Sequence, residues 1–346
     1  MAQRATLDVD RLQARLSDVV HGLHIGDSVR DVCALAGGAS SLTYRCRLVD
    51  AGHDRTIVVK AAPPGLDPIG HRDVLRQARV LRSLAEGGEV PVPAVLFEDP
   101  GDPPAVPPLF AMTWLSGDSV EPQFDRGPLP DVSAVEVATR AFDGARLLAA
   151  MQRTRTAEFA TESDRTDLPF EIDRWATALH TAPAVAPAGW CDVHEQLRRT
   201  MPAPLPPVLT HGDFRLGNML ATGANIGAVI DWELWSVADP RIDLAWYRLN
   251  ADPETYGRST PLGAAMPTGD DLLAAYVDET GDAEPADVRW FDALARFKSV
   301  ATWSLILKHA ERAGDMTYTD VGERLPGVLD TAAQLLGLEP VRRATT

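Results

Sequence analysis

The chain has 346 residues, 45% of them hydrophobic, which is enough to bury at least one large core and to form two lobes. A formal net charge of -16 excludes the dense basic stripe that a phosphate-backbone partner requires. No run approaches the roughly 18 apolar residues of a membrane span, and the opening MAQRATLDVDRL has no apolar signal segment, so a cytoplasmic protein without nucleic-acid or membrane partners is expected.

The first periodic segment, LDVDRLQARLSDVV, puts Leu12, Leu16 and Val19 on one helical face and ends in a turn around Gly22 and Gly26. From Val29 to Ala61 the period changes to alternation. Leu42, Tyr44, Cys46 and Leu48 fall on one side, AGHD turns the chain, and RTIVVKAA returns it, so a β-hairpin follows the glycine-rich AGGASS. After PPGLDP, the stretch DVLRQARVLRSLAE forms a helical stripe through Val74, Ala78, Leu81 and Ala85, and PAVLFED and PLFAMTWL read as two further strands. A loose segment rich in Pro, Asp and Gly follows, and the lobe boundary is placed there, giving residues 1–115 and 116–346.

The second part is mainly helical, with AVEVATRAFDGARLLAAMQ, EIDRWATAL, DVHEQLRRTM and DVRWFDALARFKSVATWSLILKHAER as its clearest periodic segments. One β-rich interruption, PVLTHGDFRLGNMLATGANIGAVIDWELW, lies among them. The fold class is therefore α+β. Cys33, Cys46 and Cys191 form no CxxC pair and are expected to be packing residues.

Within that interruption His211, Asp213, Arg215 and Asn218 stand in the order H-x-D-x-R-x-x-N. Phosphoryl transfer asks a protein mainly for positioning and charge stabilisation. An aspartate can take or orient a hydroxyl proton, and an asparagine carbonyl five residues on can ligate magnesium. Downstream, Asp231 leaves the apolar strand GAVID and offers hard oxygen to the same ion. Upstream, Lys60 ends the strand TIVVK. The chain holds only three lysines, Lys60, Lys298 and Lys308, among 33 basic residues, so an ammonium at this position calls for a reason such as phosphate binding. The amides and hydroxyls of Gly37, Gly38, Ala39, Ser40 and Ser41 suit a phosphate-covering turn.

Taken together, LAGGASSLTYRCRL, VVK, FAMTWLSG, HGDFRLGNML and VIDWELWSVADPRIDLAWY resemble, in order, the motifs of the aminoglycoside phosphotransferase and choline kinase family, a branch of the protein-kinase-like fold. The wording HGDFRLGNM with IDWE is similar to the kinase-like proteins related to domains fused to acyl-CoA dehydrogenases. The resemblance implies a bilobal protein with a small β-rich N-lobe covering ATP or GTP, a hinge near Met112, Trp114 and Leu115, and a larger helical C-lobe holding a small-molecule hydroxyl acceptor. It implies that Lys60 binds phosphates, with Gly38, Ser40 and Ser41 beside it, that Asp213 is the base, that Arg215 lies near the γ-phosphate, and that Asn218 and Asp231 hold Mg2+. The chain is expected to act as a monomer or homodimer. His211 is expected to brace the loop.

One position departs from the family pattern. Where a glutamate usually pairs with the strand lysine, RQARVLRSL carries Gln77, which can bond an ammonium but supplies no countercharge; Asp73, one turn earlier, is a candidate substitute. A nucleotide-binding pseudokinase is therefore the alternative to a small-molecule kinase. Asp239 is read as a helix N-cap rather than part of a second metal site with Asp243. Trp175, Trp232, Trp235, Trp246, Tyr247 and Trp303 are the aromatic candidates for the acceptor pocket.

Overall fold

The computed structural model describes residues 7–35, 41–124, 132–253, 255–256 and 262–339. These form two compact units. The first runs to Gly117 and also takes in Gly227–Leu234; the second holds the described residues from Asp118 to Ile226 and from Trp235 onward.

In the first unit, helix α1 (Val9–Gly22) starts at Asp8, whose carboxylate accepts the Arg11 N–H at 3.0 Å. Its buried residues, Leu12, Leu16 and Val20, repeat every four positions, so the stripe ends on Val20 and leaves Val19 at the edge. Strands β1 (Ser28–Ala34), β2 (Leu42–Val49), β3 (Arg55–Ala61), β4 (Val95–Asp99) and β5 (Leu109–Thr113) make an antiparallel sheet in the order β1-β2-β3-β5-β4. Tyr44, Cys46, Leu48, Ile57, Val59, Phe97 and Ala111 meet α1 in one apolar cluster. Helix α2 (Val74–Gly87) buries Val74, Gln77, Ala78, Val80, Leu81 and Leu84, whereas Ala85, expected on its stripe, is exposed. Gly88, in the left-handed region at φ 72°, closes this helix by donating its N–H to Leu84.

In the second unit, α3 (Ala134–Gln152) opens with a capping box between Ser133 and Glu136. It is followed by α4 (Leu168–His180) and α5 (Trp190–Arg199). Strand β6 (Val208–Thr210) leads into the loop that holds Asp213, then come β7 (Met219–Thr222), β8 (Asn225–Val229), whose residues from Gly227 on count with the first unit, and β9 (Ser236–Ala238), with β6 and β9 paired antiparallel. The rest is helical: α6 (Arg241–Ala251), α7 (Gly269–Thr280), α8 (Val288–Ala313) and α9 (Thr319–Leu335). The core draws on α4, α5, α6, α8 and α9, through residues such as Ile172, Leu197, Trp246, Phe297 and Leu329. Of the cysteines only Cys46 is buried; Cys33 and Cys191 are exposed, so these two are not packing residues. Among the described residues no helix is long and apolar enough to cross a membrane.

An antiparallel sheet in one unit and helices in the other make the protein α+β, as the alternating and helical periodicities require.

Candidate active site

Lys60 sits on β3, paired with Thr43 on β2 and Phe110 on β5. A central strand fixes its backbone, and its side chain is nearly buried at 8% exposure. Its ammonium donates to Gln77 Oε1 at 3.1 Å and to Asp231 Oδ1 at 2.9 Å. The carboxylate at Asp73 is not its partner: Asp73 caps α2 by accepting the N–H groups of Leu75 and Arg76 at 3.1 Å each, so that helix entry, rather than charge balance, explains this residue. Asp231 holds a left-handed backbone at φ 67°. A non-glycine residue there costs on the order of 1 kcal/mol, a strain that persists where packing and function over-determine it.

The second set of residues is built on the loop after β6. Gly212 takes φ 82°, a conformation that glycine adopts without a Cβ penalty. Asp243, fully buried on α6, accepts the N–H of His211 at 2.5 Å and of Gly212 at 3.0 Å. Burial pushes the Asp243 carboxyl upward, against the opposing pull of His211, Lys298 and those two N–H groups. His211 is also buried, and its Nδ1 accepts the Asp213 N–H at 3.2 Å, which is the bracing role expected of it.

Asp213 receives three side-chain donors. Arg215 Nε lies 3.0 Å and Asn218 Nδ2 2.8 Å from Oδ2, and Trp246 Nε1 lies 2.8 Å from Oδ1. Asn218 Nδ2 also donates to the Asp213 carbonyl at 2.8 Å. Arg215 bridges Asp213 to Glu121. Behind the loop, Lys298 on α8 donates to the Gly212 carbonyl and places its ammonium 3.9 Å from the centre of the Trp246 ring. Burial lowers the Lys298 pKa; the carboxylates of Glu171, Asp213 and Asp243 pull it back up, while Arg174 lowers it further.

The expected residues thus fall into two local constellations. Lys60, Gln77 and Asp231 meet in one, and Asp213, Arg215 and Asn218 meet in the other. Gly38 and Ser40 lie outside the described residues. Ser41 is 5% exposed, and its hydroxyl has no partner. Met112 pairs with Val58 and Val95 within the sheet, and Trp114, just past β5, is 41% exposed. Of the aromatic candidates for an acceptor pocket, Trp232, Trp235, Trp246 and Tyr247 are buried, so packing claims them, while Trp175 and Trp303 are partly exposed. Asp239 is structural, though not as the cap residue itself. It accepts the Arg241 N–H at 3.0 Å, pairs with the Arg241 guanidinium at 2.7 and 2.9 Å, and takes the Leu205 N–H at 2.9 Å.

Lys298 and Glu121 escaped sequence reading, and Trp246 was read as a pocket candidate rather than as a donor to Asp213. The scarcity of lysine that singled out Lys60 applied equally to Lys298, and was the one signal available.

Each constellation contains a hard oxygen. Asn218 spends its amide nitrogen on Asp213, which leaves its carbonyl Oδ1 without a hydrogen bond inside the protein, and Asp231 is a carboxylate with 36% of its side chain exposed. Among the described residues no group of three or more His, Cys, Asp or Glu side chains could cage a metal by itself. Magnesium commonly binds through one or two protein oxygens together with substrate phosphates, and Asn218 in the one constellation and Asp231 in the other each carry such an oxygen.

Several known proteins resemble this chain in sequence, and others in fold. The chain is 29% identical over 224 residues to mouse "Acyl-CoA dehydrogenase family member 10", covering 60% of this chain and 19% of that protein. It is 25% identical over 323 residues to Arabidopsis thaliana "Probable acyl-CoA dehydrogenase IBR3", covering 86% and 38% respectively. It therefore spans well under half the length of either relative. Among solved structures, a candidate aminoglycoside phosphotransferase of Ralstonia eutropha superposes with a TM-score of 0.72 at 20% identity, over 96% of this chain and 99% of that one. Macrolide 2'-phosphotransferase type I gives 0.57 at 20% identity, over 95% and 98%. Aminoglycoside phosphotransferase APH(4)-Ia, in ternary complex with AMP-PNP and hygromycin B, gives 0.54 at 15% identity, over 92% and 99%. These likenesses establish a protein-kinase-like phosphotransferase fold. Residues 31–291, more than half of the chain, match the model of the phosphotransferase enzyme family, and the chain belongs to that family.

Proposed function

We propose that this phosphotransferase moves the γ-phosphoryl group of ATP or GTP to a hydroxyl of a small molecule. The observation that carries the reading is the state of Asp213: it is held by three donors from Arg215, Asn218 and Trp246, in a loop braced by buried Asp243. A carboxylate fixed so firmly suits positioning catalysis, in which the base orients a hydroxyl rather than searching for it.

In this reading Lys60 binds nucleotide phosphates, and Asn218 and Asp231 hold Mg2+, which when bound neutralises the charge of the transferred group. Asp213 orients the acceptor hydroxyl and takes its proton as the new P–O bond forms and the bond to the ADP or GDP leaving group breaks. Arg215, tied to Asp213 and Glu121, keeps a positive charge beside the reacting oxygen. The acceptor class ranked first is a hydroxylated metabolite. The likeness to acyl-CoA dehydrogenase proteins supports hydroxyacyl compounds, and antibiotics follow as the second class.

The test is a coupled ADP-release screen against hydroxyacyl thioesters, aminoglycosides, macrolides and amino alcohols, with Asp213→Ala as the blank. Turnover in the variant is expected to fall by roughly a hundredfold or more. Full turnover in Asp213→Ala would remove this residue from the chemistry. A second reading, nucleotide binding without transfer, is favoured by Gln77, which leaves Lys60 without a carboxylate from α2. It predicts a raised melting temperature with nucleotide and no accepted hydroxyl in the same screen.

A further inference from the structure

Gln77 is 1% exposed, and only half of its amide is used. Its Oε1 faces Lys60 Nζ at 3.1 Å, the orientation required because an ammonium has donors only. Its Nε2 is buried and has no hydrogen-bond partner among the described residues. In the same unit, Ser41 precedes β2, whose Thr43 pairs with Lys60, and the buried Ser41 hydroxyl is likewise unpartnered. An orphaned buried donor is costly and rare in a native fold, so it needs an explanation.

We infer that Gln77 is itself a ligand-contacting residue: its Nε2–H donates to an oxygen of the phosphate chain that Lys60 binds. This rests on the nucleotide-binding reading above and changes what position 77 does. A glutamate there would only accept, and its charge would repel phosphate. Glutamine anchors Lys60 with one end and offers a donor with the other.

The charge balance gives the second half of the inference. Lys60 already meets one carboxylate, that of Asp231, at 2.9 Å. A carboxylate at 77 would add one negative charge in a nearly buried place, and a cation would then be needed to offset it. Gln77 therefore makes phosphate binding less dependent on magnesium than a glutamate would.

The experiment is isothermal titration of the full chain with ATP, once in EDTA and once with excess Mg2+, on the natural sequence, Gln77→Glu and Gln77→Met. The natural protein is expected to bind ATP under both conditions. Gln77→Glu is expected to bind about tenfold more weakly in EDTA and only a few-fold more weakly with Mg2+. Gln77→Met, which has neither N–H nor charge, is expected to lose several-fold under both conditions, and it decides the matter if the charged variant does not fold. Affinity in EDTA that is unchanged or tighter in Gln77→Glu, or unchanged in a folded Gln77→Met, overturns the inference and leaves the nucleotide reading intact. Absence of ATP binding by the natural protein under both conditions overturns that reading instead.

Discussion

The indole N–H of Trp246 lies 2.8 Å from Asp213 Oδ1, while the face of the same ring lies over the buried ammonium of Lys298. One side chain thereby couples the loop aspartate to a cation in the core. Arg215 and Asn218 hold the other carboxylate oxygen, so donors on both oxygens fix the orientation of the carboxylate.

Trp246→Phe removes the N–H together with one ring of the buried indole, so some loss of stability accompanies it. A hydrogen bond to a charged group contributes about 1.5–3 kcal/mol, so turnover is expected to fall roughly tenfold to a hundredfold. KM for the acceptor should change only a few-fold, because the residue positions Asp213 and does not bind substrate. Steady-state ADP release, separated into kcat and KM, checks this; a raised KM with unchanged kcat would make Trp246 a substrate contact.

Lys298→Met removes a buried cation that faces Glu171, Asp213 and Asp243 and leaves the Gly212 carbonyl without its donor. Breaking such a cluster is expected to cost about 3–5 kcal/mol in urea unfolding. The pH dependence has a definite sign. Burial lowers the Lys298 pKa in the folded state below its ordinary value of 10.5, so between the two values the unfolded chain binds more protons and stability rises with pH. The stability difference between natural protein and variant should therefore grow as pH rises toward 10.5, and a flat difference would contradict the lowered value.

Asp99 shows the same sign of pH dependence from a different balance of causes. Burial opposes its ionisation, but the Arg15 guanidinium at 2.7 Å and the Gly101 N–H outweigh burial and hold its pKa below the ordinary 3.8. Its contribution to stability is present above pH 3.8 and is lost as pH falls through the lower folded value. Asp99→Asn is expected to flatten that part of the acid unfolding curve, measured by circular dichroism, by an amount well under that of a buried pair.

Gly217 lies between the partners of the ion pair linking Arg215 to Glu121, where an added Cβ would collide with Glu121 Oε1 and Arg215 Nη1. Gly217→Ala is expected to displace the ends of Arg215 and Glu121, which are flexible side chains, and to lower turnover roughly tenfold with little loss of stability. Parallel ADP-release and urea measurements test it; unchanged turnover would show that the Arg215 bridge is dispensable.

Much of the fold was legible because its periods are local properties. Alternation at Tyr44, Cys46 and Leu48 announced β2, and spacing by four at Leu12 and Leu16 announced α1. Stripe ends were less legible: Val20 and Leu84 are buried where Val19 and Ala85 were expected, because the neighbouring sheet decides which edge of a helix is covered. Cys33 and Cys191 were misread as packing residues for the same reason, since exposure depends on what packs above a position. Asp73 was a plausible countercharge by spacing, yet the unsatisfied N–H groups of Leu75 and Arg76 claim it.

By itself the sequence determined the α+β class, the order of helices α1 to α5 and α8 and of strands β2 to β5, and the short loop that carries Asp213, Arg215 and Asn218, because these depend on neighbours within a few positions in the chain, whereas helices α6, α7 and α9 were not read from it. Tertiary structure alone decided that Asp231 meets Lys60 across 171 positions, that Trp246 and Lys298 stand behind Asp213, and that Gly227–Leu234 belongs with the first unit. Those relationships join distant segments through burial and the pairing of polar groups, and no local period records them. The Gln77 amide shows the division: its identity was plain in the sequence, but that one end holds Lys60 while the other is left without a partner depends on the packing around α2.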